Sequence, residues 1–231
     1  MIINMIVFNR LFAITFTRYF ITHIKMQSIL FIFLFVSLFS VSAQSGWDSI
    51  TVHRANTANE NRNLKDDEKQ VIFYTNLARA NGKLFSETYL KRFMDSTGIK
   101  PTPFTESLEV DLRSIENLPM LIPEPDLYNI ARQHAIESGK TGRKGHQGFK
   151  RRFNNLASTY NAYGENCYYG QDNPLDIVIK LLIDEGITDL GHRFNMLDPR
   201  YNSIGVSIMP HKTHGYNCVM EFGGKIRHGQ N

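Results

Sequence analysis

Gly164–Gly170 reads GENCYYG, a run of strand-forming residues with a carboxylate set into it. The composition from Tyr163 to Tyr169 predicts a β-strand, and Glu165 is costly there unless other polar groups converge on it. Downstream, Ile204–Met209 and Tyr216–Phe222 are β-branched and aromatic, so two more strands are expected, with HKTHG (211–215) turning between them. Upstream the signals are helical. Val71, Tyr74, Leu77 and Ala78 recur at helical steps after Glu68, and Leu127, Ile130, Ala131 and Ala135 form a stripe over Asp126–Ser138 that Gly139 stops. Further helices are expected at Ser86–Met94, Leu108–Ile115, Pro174–Glu185 and Arg193–Leu197. Helices come first and strands cluster late. That order predicts an α+β fold, a layered αβα domain rather than a doubly wound parallel sheet.

At 231 residues the chain suits one domain, and its 42% hydrophobic and 21% charged content is ordinary for a globular protein. The net charge of +4 invites a nucleic-acid reading, but its location argues against one. Residues 1–43 hold Arg10, Arg18 and Lys25 and no acid, so only +1 remains beyond them. Ile29–Phe39 is an apolar run too short to span a bilayer comfortably, and Val41-Ser42-Ala43 has the small-residue pattern of a signal-peptidase site. Residues 1–43 are therefore expected to be a leader cut after Ala43, with translation starting at Met1 or at Met26. The mature chain is expected to be secreted or periplasmic, with no transmembrane segment and no nucleic-acid partner. Residues 44–67 are polar and aperiodic and are expected to be a flexible linker. Cys167 and Cys218, an even pair in an exported chain, leave two readings: a disulfide or two buried free thiols.

The chain lacks a Gly-x-Ser-x-Gly elbow, a phosphate-binding glycine loop, a nucleotide fingerprint and a His-Glu-x-x-His helix. What remains is a set of His and Glu residues at element boundaries: His146 in GHQG (145–148), Glu165, Glu185 at a helix end, and His192 in LGHR (190–193). Two imidazoles with two carboxylates suit a divalent ion, Zn²⁺ or Mg²⁺. The same quartet without metal would be a hydrogen-bonded network joining helix to strand. His134, on the apolar stripe, is expected to be structural. His211 and His214 are three apart on a turn, which is expected to be solvated rather than metal-binding. KGHQGFKRR (144–152) reads as a solvated basic loop or as an attractor for an anionic partner.

GHQG, YGENCYYG, LLIDEG and LGHRFNMLDPRYNSIGVSI, in this order, resemble the CAP superfamily of cysteine-rich secretory, antigen 5 and pathogenesis-related proteins, in its bacterial SCP-type branch. The resemblance covers about residues 68–223, leaving 224–231 as a C-terminal tail. It implies a three-layer αβα sandwich and a cleft that gathers two histidines and two acids, sometimes around a metal. By motif His146 and His192 are the two histidines, Glu165 is the Gly-Glu-Asn acid, and Glu185 is the remaining acid, with Asp184 one residue away. Leu182 stands where many relatives carry tryptophan, and GHRFNM departs from the eukaryotic aromatic signature.

The expected function is an exported module that binds a ligand or partner in the His/Glu cleft, with or without a divalent metal. The ligand classes implied are a small lipid-like or cell-envelope molecule or a protein. Two alternatives stand beside it. One is a peptidase-like hydrolase in which a glutamate is general base to a polarised water. The other is a structural or adhesive domain. Cys167 is a poor nucleophile candidate, because a neighbouring acid raises a thiol's pKa.

Overall fold

The computed structural model of the chain describes residues 46–225. The expected leader and most of the expected C-terminal tail lie outside the described residues. Residues 48–225 lie in one compact unit. Its helices are α1 (Ser49–Ala55), α2 (Asp66–Ala80), α3 (Gly82–Phe85), α4 (Lys91–Thr97), α5 (Pro103–Arg113), α6 (Pro125–Thr141), α7 (Phe149–Asn154), α8 (Pro174–Ile183) and α9 (Gly191–Leu197). A π-helical turn, Ser86–Leu90, joins α3 to α4. The strands are β1 (Ile122–Pro123), β2 (Tyr160–Gly170), β3 (Ser203–His211) and β4 (Gly215–Lys225).

The four strands form one sheet in the order β1-β3-β4-β2, with β1 parallel to β3 and the other pairs antiparallel. Successive side chains alternate between its faces. Cys167 and Val219 face α6, where they pack on Ala131 and Ala135. The opposite face meets α2 and α9, and α8 packs on α2. The fold is therefore α+β, with the sheet between helical layers.

Two close approaches set the layer spacing. A Cβ on Gly205 would lie 2.1 Å from the Leu127 carbonyl carbon, so α6 backbone rests directly on β3. On the opposite face, a Cβ on Gly164 would lie 2.7 Å from Asn195 Oδ1 and from the Tyr201 hydroxyl.

Three sequence expectations fail here. The segment expected to be a flexible linker carries α1, capped by Asp48 accepting from the Thr51 N–H, and it is tied to the core. Asn76 Nδ2 donates to the Ala55 carbonyl, Thr57 Oγ1 donates to the Leu121 carbonyl, and Ala55, Ala58 and Leu64 are buried. A polar, aperiodic segment gave no helical signal because tertiary hydrogen bonds, not an apolar stripe, hold it. The disulfide reading also fails: both cysteines are free and buried. In the β2–β4 register Cys218 sits opposite Tyr168, and Cys167 opposite Val219. That one-residue offset sends the two thiols to opposite faces of the sheet. At the C-terminus, β4 runs through Gly224 and Lys225, which were expected to belong to the tail.

Gly205→Ala is expected to destabilise the fold by about 1–3 kcal/mol, because the obstructing atoms are backbone and cannot rotate away. Urea denaturation measures it, and an unchanged midpoint would contradict the close α6–β3 contact.

Candidate functional site

The Gly-Glu-Asn stretch lies mid-way along β2, so Glu165 points to the α6 face and Asn166 to the α9 face. Each reaches one histidine. Glu165 Oε1 is 2.7 Å from His146 Nδ1. Asn166 Nδ2 donates to the His192 carbonyl at 2.9 Å, and Asn195 Nδ2 donates to Asn166 Oδ1.

His146 is placed by the residue before it. Gly145 has φ of 99°, a conformation that favours glycine. Its N–H donates to the Tyr169 hydroxyl, and its carbonyl accepts from His134 Nε2 at 2.9 Å and from the Cys167 thiol at 3.7 Å. His134, expected to be structural, thus anchors the loop that carries His146. Burial lowers the His134 pKa, which keeps the ring neutral.

His192 is placed by Asp184, which ends α8 in the left-handed region at φ of 58°. Its Oδ1 lies 2.6 Å from His192 Nδ1, and its Oδ2 accepts from the His192 and Arg193 N–H groups. One buried carboxylate therefore caps α9 and orients the imidazole. Glu185 does not share this position: it is exposed, and its Oε2 accepts from Thr102 Oγ1. The reason is the left-handed turn at Asp184, which aims that side chain inward and the next one to solvent.

The two imidazole centroids are 6.5 Å apart. Neither Nε2 has a hydrogen-bond partner among the described residues. The His146 side chain is 49% exposed and that of His192 22%, whereas those of Glu165 and Asp184 are 1% and 2% exposed. His192 and Asp184 line a cleft of about 650 Å³ shared with Cys167, Tyr168 and Tyr169.

Behind Glu165 lies a second acid that sequence reasoning missed. Glu221 stands directly across from it on β4 and is fully buried. Arg152 of α7 ion-pairs with Glu165 Oε2 and lies 3.5 Å from Glu221 Oε1. With both acids ionised, neither Glu221 oxygen finds a hydrogen-bond donor. Burial, and then the Glu165 charge, raise the Glu221 pKa well above the usual carboxylate range, which favours a protonated Glu221 whose O–H donates a hydrogen bond to Glu165. Burial pulls Glu165 the same way, but hydrogen bonds from His146 and Glu221 and the charges of His134 and Arg152 hold it down to about 2. The available signals were VMEFG (219–223), whose charge interrupts a buried strand, and Arg152 in the basic run.

His134, Glu165 and Cys167 also bring one potential ligand atom each within 4.8 Å of one another. That trio does not suit a cation. Arg152 already neutralises Glu165, the His134 Nε2–H is donated to Gly145, and burial, with Glu165 and Glu221 nearby, holds the Cys167 thiol protonated. The turn histidines do not form a site either: His211 is buried, with Nε2 on the Arg143 carbonyl and Nδ1 accepting from the Thr213 N–H.

The two acids shift stability in separate pH windows. Glu165 stabilises the fold above its unfolded value of about 4.3, and that contribution is lost as pH falls through about 2. Protonated Glu221 contributes fully below about 4.3 and loses its contribution as pH rises towards its raised folded value. Glu221→Gln is therefore expected to flatten the decline of melting temperature with pH on the alkaline side while leaving the acid limb intact. A pH series of thermal melts checks this, and an unchanged alkaline slope would contradict it.

Residues 111–222 match the family model of the cysteine-rich secretory protein family, CAP. No curated protein matches the chain. Among solved structures the chain is similar to an outer surface protein from Borrelia burgdorferi, with 19% identity and a TM-score of 0.41 over 53% of this chain and 90% of that one. It is similar to an extracellular SCP-domain protein from Bacillus anthracis, with 17% identity and a TM-score of 0.39 over 53% and 39% of the two chains. A cysteine-rich secretory protein from Staphylococcus aureus gives 20% identity and a TM-score of 0.37 over 55% and 40%. The chain thus spans about two-fifths of the length of the last two. With the family match falling on the stretch that builds the site, from the end of α5 to β4, residues 111–222 carry a CAP domain of the cysteine-rich secretory protein family.

Proposed function

We propose that this protein is an exported binding module whose cleft takes its ligand between His146 and His192. The observation that carries the reading is the paired arrangement of the two imidazoles. In each, a buried carboxylate engages Nδ1 and leaves Nε2 free on the exposed side of the ring. A carboxylate on Nδ1 selects the tautomer whose Nε2 lone pair is free. That donor set fits a divalent ion of the Zn²⁺ type, which would supply a Lewis-acidic centre for an anionic or carbonyl group of the ligand. Glu165 and Asp184 serve as orienting groups, because both are nearly fully buried and engaged with the protein.

The same geometry favours binding over hydrolysis. Glu165 is covered by His146, Arg152 and Glu221 and offers no face to a substrate. The Cys167 thiol, raised well above its ordinary pKa, is not a nucleophile at neutral pH. Export rests on the apolar run Ile29–Phe39 and the small-residue site ending at Ala43. Among the described residues, no helix is long and apolar enough to cross a membrane.

Calorimetric titration of the full chain with Zn²⁺ is expected to give one site, abolished in the His146→Ala/His192→Ala double variant. Glu165→Gln is expected to weaken it about 10–100-fold. Zn²⁺ affinity that survives the double variant would show that the ion sits elsewhere.

A further inference from the structure

The sheet has two outer strands, and the fold treats them differently. On the β1 side, the Ile122 and Glu124 N–H groups donate to the Asn202 and Ile204 carbonyls. Beyond the two-residue β1, Glu68 Oε1 accepts from the Ile208 N–H, and Lys65 Nζ donates to the Ile208 carbonyl. Even-numbered residues of β3 therefore turn their main-chain groups outward, and that edge is capped.

Main-chain direction alternates along a strand, so the odd-numbered residues of β3 bond to β4. The register pairs Ser203, Gly205 and Ser207 with Gly223, Glu221 and Val219. Cys218, Met220 and Phe222 of β4 are then left to bond to β2, opposite Tyr168, Asn166 and Gly164. It follows that Glu165, Cys167 and Tyr169 send their N–H and C=O groups away from the sheet. Asn195 Nδ2 donating to the Glu165 carbonyl agrees with this direction. The N–H and C=O of Cys167 and Tyr169 have no partner among the described residues.

These free groups border the cleft beside His192. No proline, lysine or bulge protects this part of β2, in contrast to the devices that usually blunt an exposed edge. The cleft is also cationic. Lys100, Lys144 and Lys180 line it against two acids, Asp184, which engages His192, and Glu185, with Lys180 also 3.9 Å from Asp176 of α8.

We infer that the cleft binds an acidic peptide segment in extended conformation, which adds as a fifth strand to the free edge of β2 at Cys167–Tyr169. Two residues of β2 offer two donors and two acceptors in one row, the pattern that a strand satisfies and a compact ligand does not. The lysines select acidic side chains on that strand. The inference rests on the cleft being the ligand site, and it names the ligand class without requiring a metal.

The test uses the full chain and a fluorescein-labelled eight-residue peptide of alternating Thr and Glu, read by anisotropy. Two further peptides carry N-methyl groups on every Thr amide or on every Glu amide, so that each blocks one edge of the strand. The expected result is that the parent binds, that one methylated peptide binds at least about tenfold more weakly, and that the other stays close to the parent. Lys144→Glu is expected to weaken the parent peptide, and a Thr/Lys peptide is expected to bind more weakly than the Thr/Glu one. No binding of the parent at about 1 mM, equal effects of the two methylation patterns, or equal binding of the basic peptide would each overturn the inference. Zn²⁺ titration of the same preparation separates the two proposals. Zn²⁺ binding without peptide binding rejects the strand addition and leaves the histidine cleft standing, whereas loss of both rejects both.

Discussion

The site depends on the strict alternation of side chains along β2. Glu165 and Asn166 are neighbours in sequence and therefore lie on opposite faces of the sheet. One reaches the loop beneath α6 that carries His146, and the other reaches the start of α9 that carries His192. A strand thus holds two loops from two layers in one register. Shifting that register by one residue would exchange the partners and disconnect both imidazoles. Gly164 completes the arrangement, because any side chain there would collide with Asn195 and Tyr201 and push α9 away.

Around this strand the protein buries three arginine side chains: Arg79 and Arg193 are satisfied locally, and Arg152 pairs with Glu165 while its Nε is left without a hydrogen-bond partner. Arg79 donates to the carbonyls of Pro119, Met196, Asp198 and Tyr201, tying the segment after α5 to the end of α9. Burial lowers its pKa to about 10, so it still carries its charge at neutral pH. Arg193, next to His192, donates to Leu182, Ile183, Phe104, Ser107 and Asp111, which locks the Asp184 turn against α5. Arg152 balances Glu165 while Glu221 stays neutral, leaving the buried cluster near zero net charge. Uncompensated, any of these charges would cost several kcal/mol. The Arg193 bonds to Leu182 and Ile183 and the Arg152 ion pair to Glu165 pre-order the carboxylates that orient the histidines, which lowers the entropic cost of binding a ligand there. The main-chain row of Cys167 and Tyr169 is the contrasting feature, polar and prepared but unpaired.

Much of the fold was legible because its signals are local. The stripe of α6, the run of α8 and the β-branched strands carry their periodicities openly, and Gly-His, Gly-Glu-Asn and Gly-His-Arg mark where the chain turns. Three features were illegible for a shared reason. α1 has no apolar stripe and is held by Asn76 and Thr57. α7 is a basic run whose Phe153 is buried against Leu127 and Tyr160. The exchange of Glu185 for Asp184 turns on a single left-handed residue that no periodicity records.

By itself the sequence determined the element types, the late clustering of strands, and the histidines and acids able to converge, since these follow from short-range periodicity and residue chemistry. The tertiary structure alone decided which acid meets which histidine, that Glu221 stands behind Glu165, that the two cysteines face apart, and that the outer edge of β2 stays open. The first depends in part on the left-handed turn at Asp184, and the other three on strand register and strand order. Those are set by the packing of residues far apart in the chain, and a one-residue change in either reverses them.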